Sequence, residues 1–152
     1  MRIGEPAQIV YLLAGTSSSI TTAVGSVWCN DPQSGYDCEV RGRSFDPTQS
    51  TTWREKGQWD LGIRPDLVGE QQFLESNSKD YNYGDFGLDS LAIADGQHRD
   101  IRLTGQVVAV VNDTTQLLGS LGLAVNSRSF RKDEQYPSFV STLFDSGKIP
   151  SK

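Results

Sequence analysis

Residues able to do chemistry are few in this chain, and they are widely spaced. Ser17-Ser18-Ser19 offers three hydroxyls. A serine nucleophile needs a neighbouring base and an oxyanion hole, and no Gly-x-Ser-x-Gly elbow surrounds these three, so they read as polar loop residues. The single histidine, His98, sits in Asp95-Gly96-Gln97-His98-Arg99-Asp100. Its imidazole titrates near neutrality, but the context is that of a surface hairpin. Asp80, Asp85 and Asp89 lack the alternating spacing and distal glutamate of an EF-hand loop. Cys29 and Cys38 lack the two further ligands a structural zinc site requires, so no metal site is expected. A disulfide closing this short loop is the preferred reading, worth about 2.7 kcal/mol in the chain-entropy model. It would imply an oxidising compartment, secreted or vacuolar. Asn112-Asp113-Thr114 is a glycosylation sequon compatible with that location.

The elements that must position these residues read as many short strands separated by turns. Gln8 to Leu13 is apolar and β-rich, Ser26 to Trp28 is short, and Trp59 to Ile63 alternates large apolar residues with others. Leu91 to Ile93, Ile101 to Leu103 and Gln106 to Val111 follow. Val107 to Val111 is apolar throughout, the pattern of a strand buried on both faces. Asp95-Gly96 signals a hairpin turn between two of these strands. Pro65 to Asp85 is polar and irregular and reads as a long loop. Helix is expected in two places. One is a single turn after Pro47. The other runs from Ser138 to Ser146, with Ser138 as cap, Phe139, Val140, Leu143 and Phe144 as its apolar stripe, and Gly147 as its stop. The fold class is all-β with one or two short helices, barrel-like or a folded sandwich.

Four segments in order resemble the N-terminal lobe of the pepsin-like aspartic proteases (peptidase A1 type). They are Ile3-Gly4-Glu5-Pro6-Ala7-Gln8, Phe45-Asp46-Pro47-Thr48-Gln49-Ser50-Thr51-Thr52-Trp53, Gly87-Leu88-Asp89-Ser90-Leu91-Ala92-Ile93 and Gly119-Ser120-Leu121-Gly122-Leu123-Ala124. Pro137 to Ile149 is similar to a family helix with its terminating turn, and Cys29 and Cys38 stand where the family has its first disulfide. The resemblance implies a closed, folded-sheet lobe spanning residues 1–152 as one domain, with the C-terminal lobe absent from this chain. It also implies where the catalytic Asp-Thr-Gly should fall. Counting from Gly4 without a gap, those positions are Gly15, Thr16 and Ser17. The family's chemistry uses one carboxylate from each lobe, sharing a proton across a water molecule, because like charges that close cannot both ionise. Glycine offers no such group, so no intact catalytic residue is expected here. Thr16 retains the family's threonine. The flap tyrosine falls at Arg64, within Ile63, Arg64 and Pro65, and Thr22 stands where the family has a tryptophan. Asp145-Ser146-Gly147 has the letters of a second motif but ends a predicted helix.

Composition narrows the remaining classes. The 152 residues suit one domain, and 36% hydrophobic with 22% charged residues fits a globular chain. A formal net charge of -5 disfavours nucleic acid and anionic membrane as partners. The longest apolar stretch, Ile9 to Ala14, is far too short to span a bilayer. The leading expectation is a catalytically degenerate pepsin-like lobe that binds peptide or protein in its cleft, with no cofactor. The alternatives are an aspartic endopeptidase needing a partner lobe or a second chain, and an excised half-molecule without activity of its own. A C-terminal lobe or self-association is expected to cover the exposed inter-lobe face.

Overall fold

The computed structural model describes residues 1–27, 29, 37–60, 83–94, 100–112, 118–125, 128–131 and 134–150. Within them the chain is mostly β, as composition and periodicity predict. The strands are β1 (Arg2–Ile3), β2 (Gln8–Ile9), β3 (Leu12–Gly15), β4 (Thr21–Val24), β5 (Arg54–Asp60), β6 (Tyr83–Ala94), β7 (Asp100–Val111), β8 (Gly119–Gly122), β9 (Arg128–Arg131) and β10 (Glu134–Tyr136). One helix, α1, covers Phe139–Asp145, and a single 3-10 turn covers Pro47–Gln49. The first eight strands form one sheet in the order β2-β1-β6-β7-β4-β8-β3, with β5 also paired to β6. This sheet curls into a half-barrel. Strands β9 and β10 form a separate antiparallel pair.

The long hairpin of β6 and β7 is the spine of the sheet. Its pairing runs from Gly84 opposite Val111 to Ala94 opposite Asp100, which places the expected hairpin connection at residues 95–99, outside the described residues. Register slips between Asp89 and Leu91, where two β7 residues, Thr104 and Gly105, oppose Ser90 alone. Gly105 has φ of 64°, so this is a bulge built on a left-handed glycine, and it bends the hairpin. The bend lets β6 change partner. Its first half pairs with β5, and its second half, at Leu91 and Ala92, pairs with β1.

The alternation of β7 feeds two cores. Val108 and Val110 join Ile3, Val10, Ala23, Phe45, Leu91 and Leu103 inside the curl, where Phe139 and Leu143 of α1 close the cluster. Ala109 points the other way, into a smaller cluster with Ile20 and Phe86. A strand buried on both faces is thus what Val107 to Val111 forms, as its apolar run predicts.

Several element boundaries differ from expectation. The predicted strand Gln8 to Leu13 is two strands, because Tyr11 leaves the sheet path and its N–H donates to Gly42 O at 2.7 Å. Ser26 and Val27 lie in a turn, with Cys29 N donating to Ser26 O at 3.0 Å, and the strand comes earlier, at β4. The strands expected at Ile101 and Gln106 are one strand bent at Gly105. Strand β6 begins at Tyr83, so the last residues of the expected long loop are sheet. Among the described residues, no helix is long and apolar enough to cross a membrane.

Candidate functional site

The loop holding Gly15, Thr16 and Ser17 is set by an unusual strand arrangement. Strands β3 and β4 are consecutive in sequence but do not pair with each other, because β8 lies between them. Leu12 to Gly15 run parallel to Gly119 to Gly122, while Thr22 is antiparallel to Ser120. The short connection from Thr16 to Ile20 must therefore cross the end of β8, backbone against backbone. A Cβ on Gly122 would lie 2.6 Å from Ile20 N, Ile20 O and Ser19 C, so only glycine admits the crossing. A Cβ on Gly119 would lie 2.4 Å from Thr22 O, at the other end of the same strand. The Gly119-x-x-Gly122 spacing is the sequence signature of this squeeze.

Hydrogen bonds then fix the loop on its bed. Leu123 N donates to Gly15 O at 2.8 Å, and Ala124 N donates to Ser18 O at 3.1 Å. Ile20 N donates to Ser18 Oγ at 3.1 Å. Beneath them, Ser120 N donates to Thr22 Oγ1 at 2.9 Å, and the two hydroxyls share a hydrogen bond of 2.9 Å. Gly122 N donates to Thr21 Oγ1 at 3.4 Å. This leaves Thr16 and Ser17 exposed at the tip and Ser19 buried, with its Oγ unpartnered.

Gly15 behaves unlike Gly122. Its backbone is not in the left-handed region, and a Cβ there would meet only Leu121 O, at the ordinary contact distance of 3.9 Å. Neither conformation nor space requires glycine at this position. What the loop presents is hydroxyl and peptide groups. Among the described residues, no recorded hydrogen bond joins the side chain of Thr16, Ser17 or Ser18 to a carboxylate. The triad Ser17-Ser18-Ser19 is loop, in keeping with its composition.

Three of the four segments that carry the family resemblance meet elsewhere, around Asp89. This carboxylate is buried at 1% exposure on β6. Its Oδ1 accepts from Thr52 Oγ1 and, at 2.7 Å, from Ser90 N. Ser50 Oγ lies 3.2 Å from Thr52 Oγ1 and accepts from Glu5 N at 3.1 Å. Gly4 N donates to Ser90 O at 3.0 Å, and Thr51 N donates to Glu5 O at 2.7 Å. Gln8 closes the knot by a two-way exchange with the Asp46 backbone, both bonds 2.8 Å. Gly4, with φ of 80°, has no room for a side chain, since a Cβ would sit 2.6 Å from Ser50 Oγ. Trp53 lies flat against Gly87, where a Cβ would come within 2.4 Å of its ring, and packs edge-on to Phe45 with centroids 5.9 Å apart. Asp89 is therefore a structural carboxylate tying three distant segments together.

Cys29 and Cys38 form a disulfide, with Cα atoms 5.4 Å apart. It lines an open cleft of about 570 Å³ together with Gln8, Ile9, Asp37, Glu39 and Arg43. Arg43, with φ of 65°, was not legible as unusual from its neighbours in sequence. It follows Gly42, also left-handed, and its N–H donates to Cys38 O at 2.7 Å, so the pair closes the turn that returns from the disulfide.

The other residues singled out are dispersed. Asn112 is half-buried, and its Nδ2, the atom a glycan would take, donates to Asp85 Oδ2 at 3.0 Å. Its Oδ1 would be 2.0 Å from a Cβ on Gly25, so the side chain packs on that glycine. Ile63, Arg64 and Pro65, where the flap was expected, and His98 lie outside the described residues. Asp145-Ser146-Gly147 ends α1, as its context predicts. Among the described residues, no group of three His, Cys, Asp or Glu side chains stands ready to hold a metal ion. No protein-family model matches this chain, and no curated protein matches it either.

Proposed function

We propose that this chain is a pepsin-like aspartic-protease lobe without its catalytic carboxylate, and that it binds a peptide or protein segment without cleaving it. The observation that carries this reading is Gly15. The position matched to the family's aspartate is a glycine in ordinary extended backbone, with free space where a side chain would stand. The glycine is therefore a change of chemistry and not a demand of the fold. Acid hydrolysis by a carboxylate pair needs a group at this position that takes and returns a proton, and hydrogen cannot supply it.

The lobe assignment draws support from the way the resembling segments behave. Ile3 to Gln8, Phe45 to Trp53 and Gly87 to Ile93 are far apart in sequence, yet hydrogen bonds join them: Thr52 reaches Asp89, Glu5 N reaches Ser50, and Gln8 reaches the Asp46 backbone. Gly119 and Gly122 are the glycines on which the loop crossing depends. The disulfide supports a secreted or vacuolar location, since such bonds persist in oxidising compartments.

In this reading the ligand lies across the Thr16-Ser17 tip and engages its hydroxyl and peptide groups. The test is a peptide-library selection followed by titration of the enriched peptides against Thr16→Arg and Ser17→Arg. Both positions are exposed, so each variant should fold, as near-ultraviolet circular dichroism would report. Loss of peptide affinity by at least about tenfold is expected, the scale of one lost good contact. Affinity unchanged in both variants, or a library that yields no binder, would contradict the reading.

A further inference from the structure

We propose that the free edge of β3 is a self-association surface, on which a second copy of the chain adds its own β3 antiparallel about a two-fold axis. Strand β3 is the last in the sheet order, and β8 is the one strand paired with it among the described residues. Edge strands normally carry charge, proline or a bulge that discourages further pairing. This one carries none of them.

The side chains around it are arranged to be covered. Val10 is fully buried, and Leu12 packs against the core. The alternating residues Ile9, Tyr11 and Leu13 are 46%, 58% and 59% exposed. Ile9 ends β2, Tyr11 lies in the bend that follows and Leu13 is on β3, so the three form a local stripe of large apolar side chains open to water. Exposed stripes of this kind mark interaction sites.

Charge selects the occupant. Residues 6–30 contain no Asp, Glu, Lys or Arg, the longest such run in a sequence with 22% charged residues and a net charge of -5. Two copies of an acidic chain repel each other across most of their surface. They can approach where that charge is missing, and the uncharged run contains the whole of β3 and its flanks. The charge recorded against the stripe, Arg43 at 5.5 Å from the Tyr11 ring centroid, is already paired with Glu39 at 3.5 Å. Antiparallel pairing about a two-fold axis sets each copy's Leu12–Gly15 segment against the same segment of the other. Every residue facing another across the axis is then uncharged. This inference does not depend on the proteolytic resemblance.

Sedimentation equilibrium from low to high micromolar concentration, with hydrogen exchange measured on the same samples, tests it. Dimer is expected at the upper end, with amide protection within residues 12–15 rising in step. Tyr11→Lys with Leu13→Lys should weaken association at least about tenfold, since lysine on an edge strand opposes pairing. A monomer at every concentration would overturn the proposal. So would an oligomer that the lysine pair leaves intact, or one whose exchange within residues 12–15 is independent of concentration. The exchange measurement on the unmodified protein decides the matter even if the variant folds poorly.

Discussion

Two glycines on either side of one loop crossing should respond oppositely to the same added methyl. Gly122→Ala forces a Cβ into Ile20 and Ser19 backbone that has nowhere to go. Overpacking of this kind typically costs about 1–3 kcal/mol, and contact with backbone argues for the upper end. Gly15→Ala meets nothing closer than 3.9 Å, so its stability should change by no more than about 1 kcal/mol, in the stabilising direction if the methyl restricts the unfolded chain. Urea melts of the two variants check both expectations. At Asp89, removal of the carboxylate by Asp89→Ala would leave the buried Ser90 N–H without its acceptor and take one of two partners from the exposed Thr52 hydroxyl, at about 1–3 kcal/mol. Asp89→Asn keeps an acceptor for those donors and should cost less. That Asp89 serves conformation was legible from its place in the sequence, but its partners and the role of Gly122 were not. Their partners are distant in sequence, and nothing local to either residue announces a clash or a buried hydrogen bond.

At the scale of elements, helix α1 shows which signals survive translation into structure. Its ends were legible. Ser138 Oγ accepts from Ser141 N at 3.1 Å, Gly147 N donates to Phe144 O at 2.8 Å, and Lys148 N donates to Leu143 O at 2.8 Å, a complete Schellman motif with Gly147 at φ of 67°. Ser138→Ala should cost about 1–2 kcal/mol and Gly147→Ala about 1 kcal/mol, both read from thermal or urea midpoints. The apolar stripe was less legible. Phe139 and Leu143 are buried, Val140 is half-buried, and Phe144 is 40% exposed. A helix of seven residues presents one short seam to the sheet, so Phe139 and Leu143 fill it and Phe144 falls outside. Strand β4 escaped notice because Thr21-Thr22-Ala23-Val24 has no large apolar alternation. It is a strand because β7 and β8 pair with it on either side. Tertiary pairing decided what local propensity left open.

For the whole molecule, the Asp89 knot ties segments distant in sequence, while the Cys29–Cys38 bond closes a local loop with a sequence separation of 9. Replacing both cysteines with serine should lower stability by about 2.7 kcal/mol without changing the fold, since the disulfide's effect falls chiefly on the unfolded chain. The far-ultraviolet spectrum and the urea midpoint report the two halves of that statement. In the proposed reading the architecture stands apart from the chemistry. None of the ties described here involves a side chain at position 15, and in the proposed reading the absence of a carboxylate there is what separates binding from hydrolysis. The most direct test is digestion of an acid-denatured protein substrate at pH between about 3 and 5, where a carboxylate dyad is half-protonated. It should be run with and without a transition-state peptide inhibitor such as pepstatin. The account predicts no inhibitor-sensitive cleavage by this chain at any concentration, whether monomeric or self-associated. Cleavage that the inhibitor abolishes would show that an aspartic dyad forms without Gly15 and would contradict the central claim.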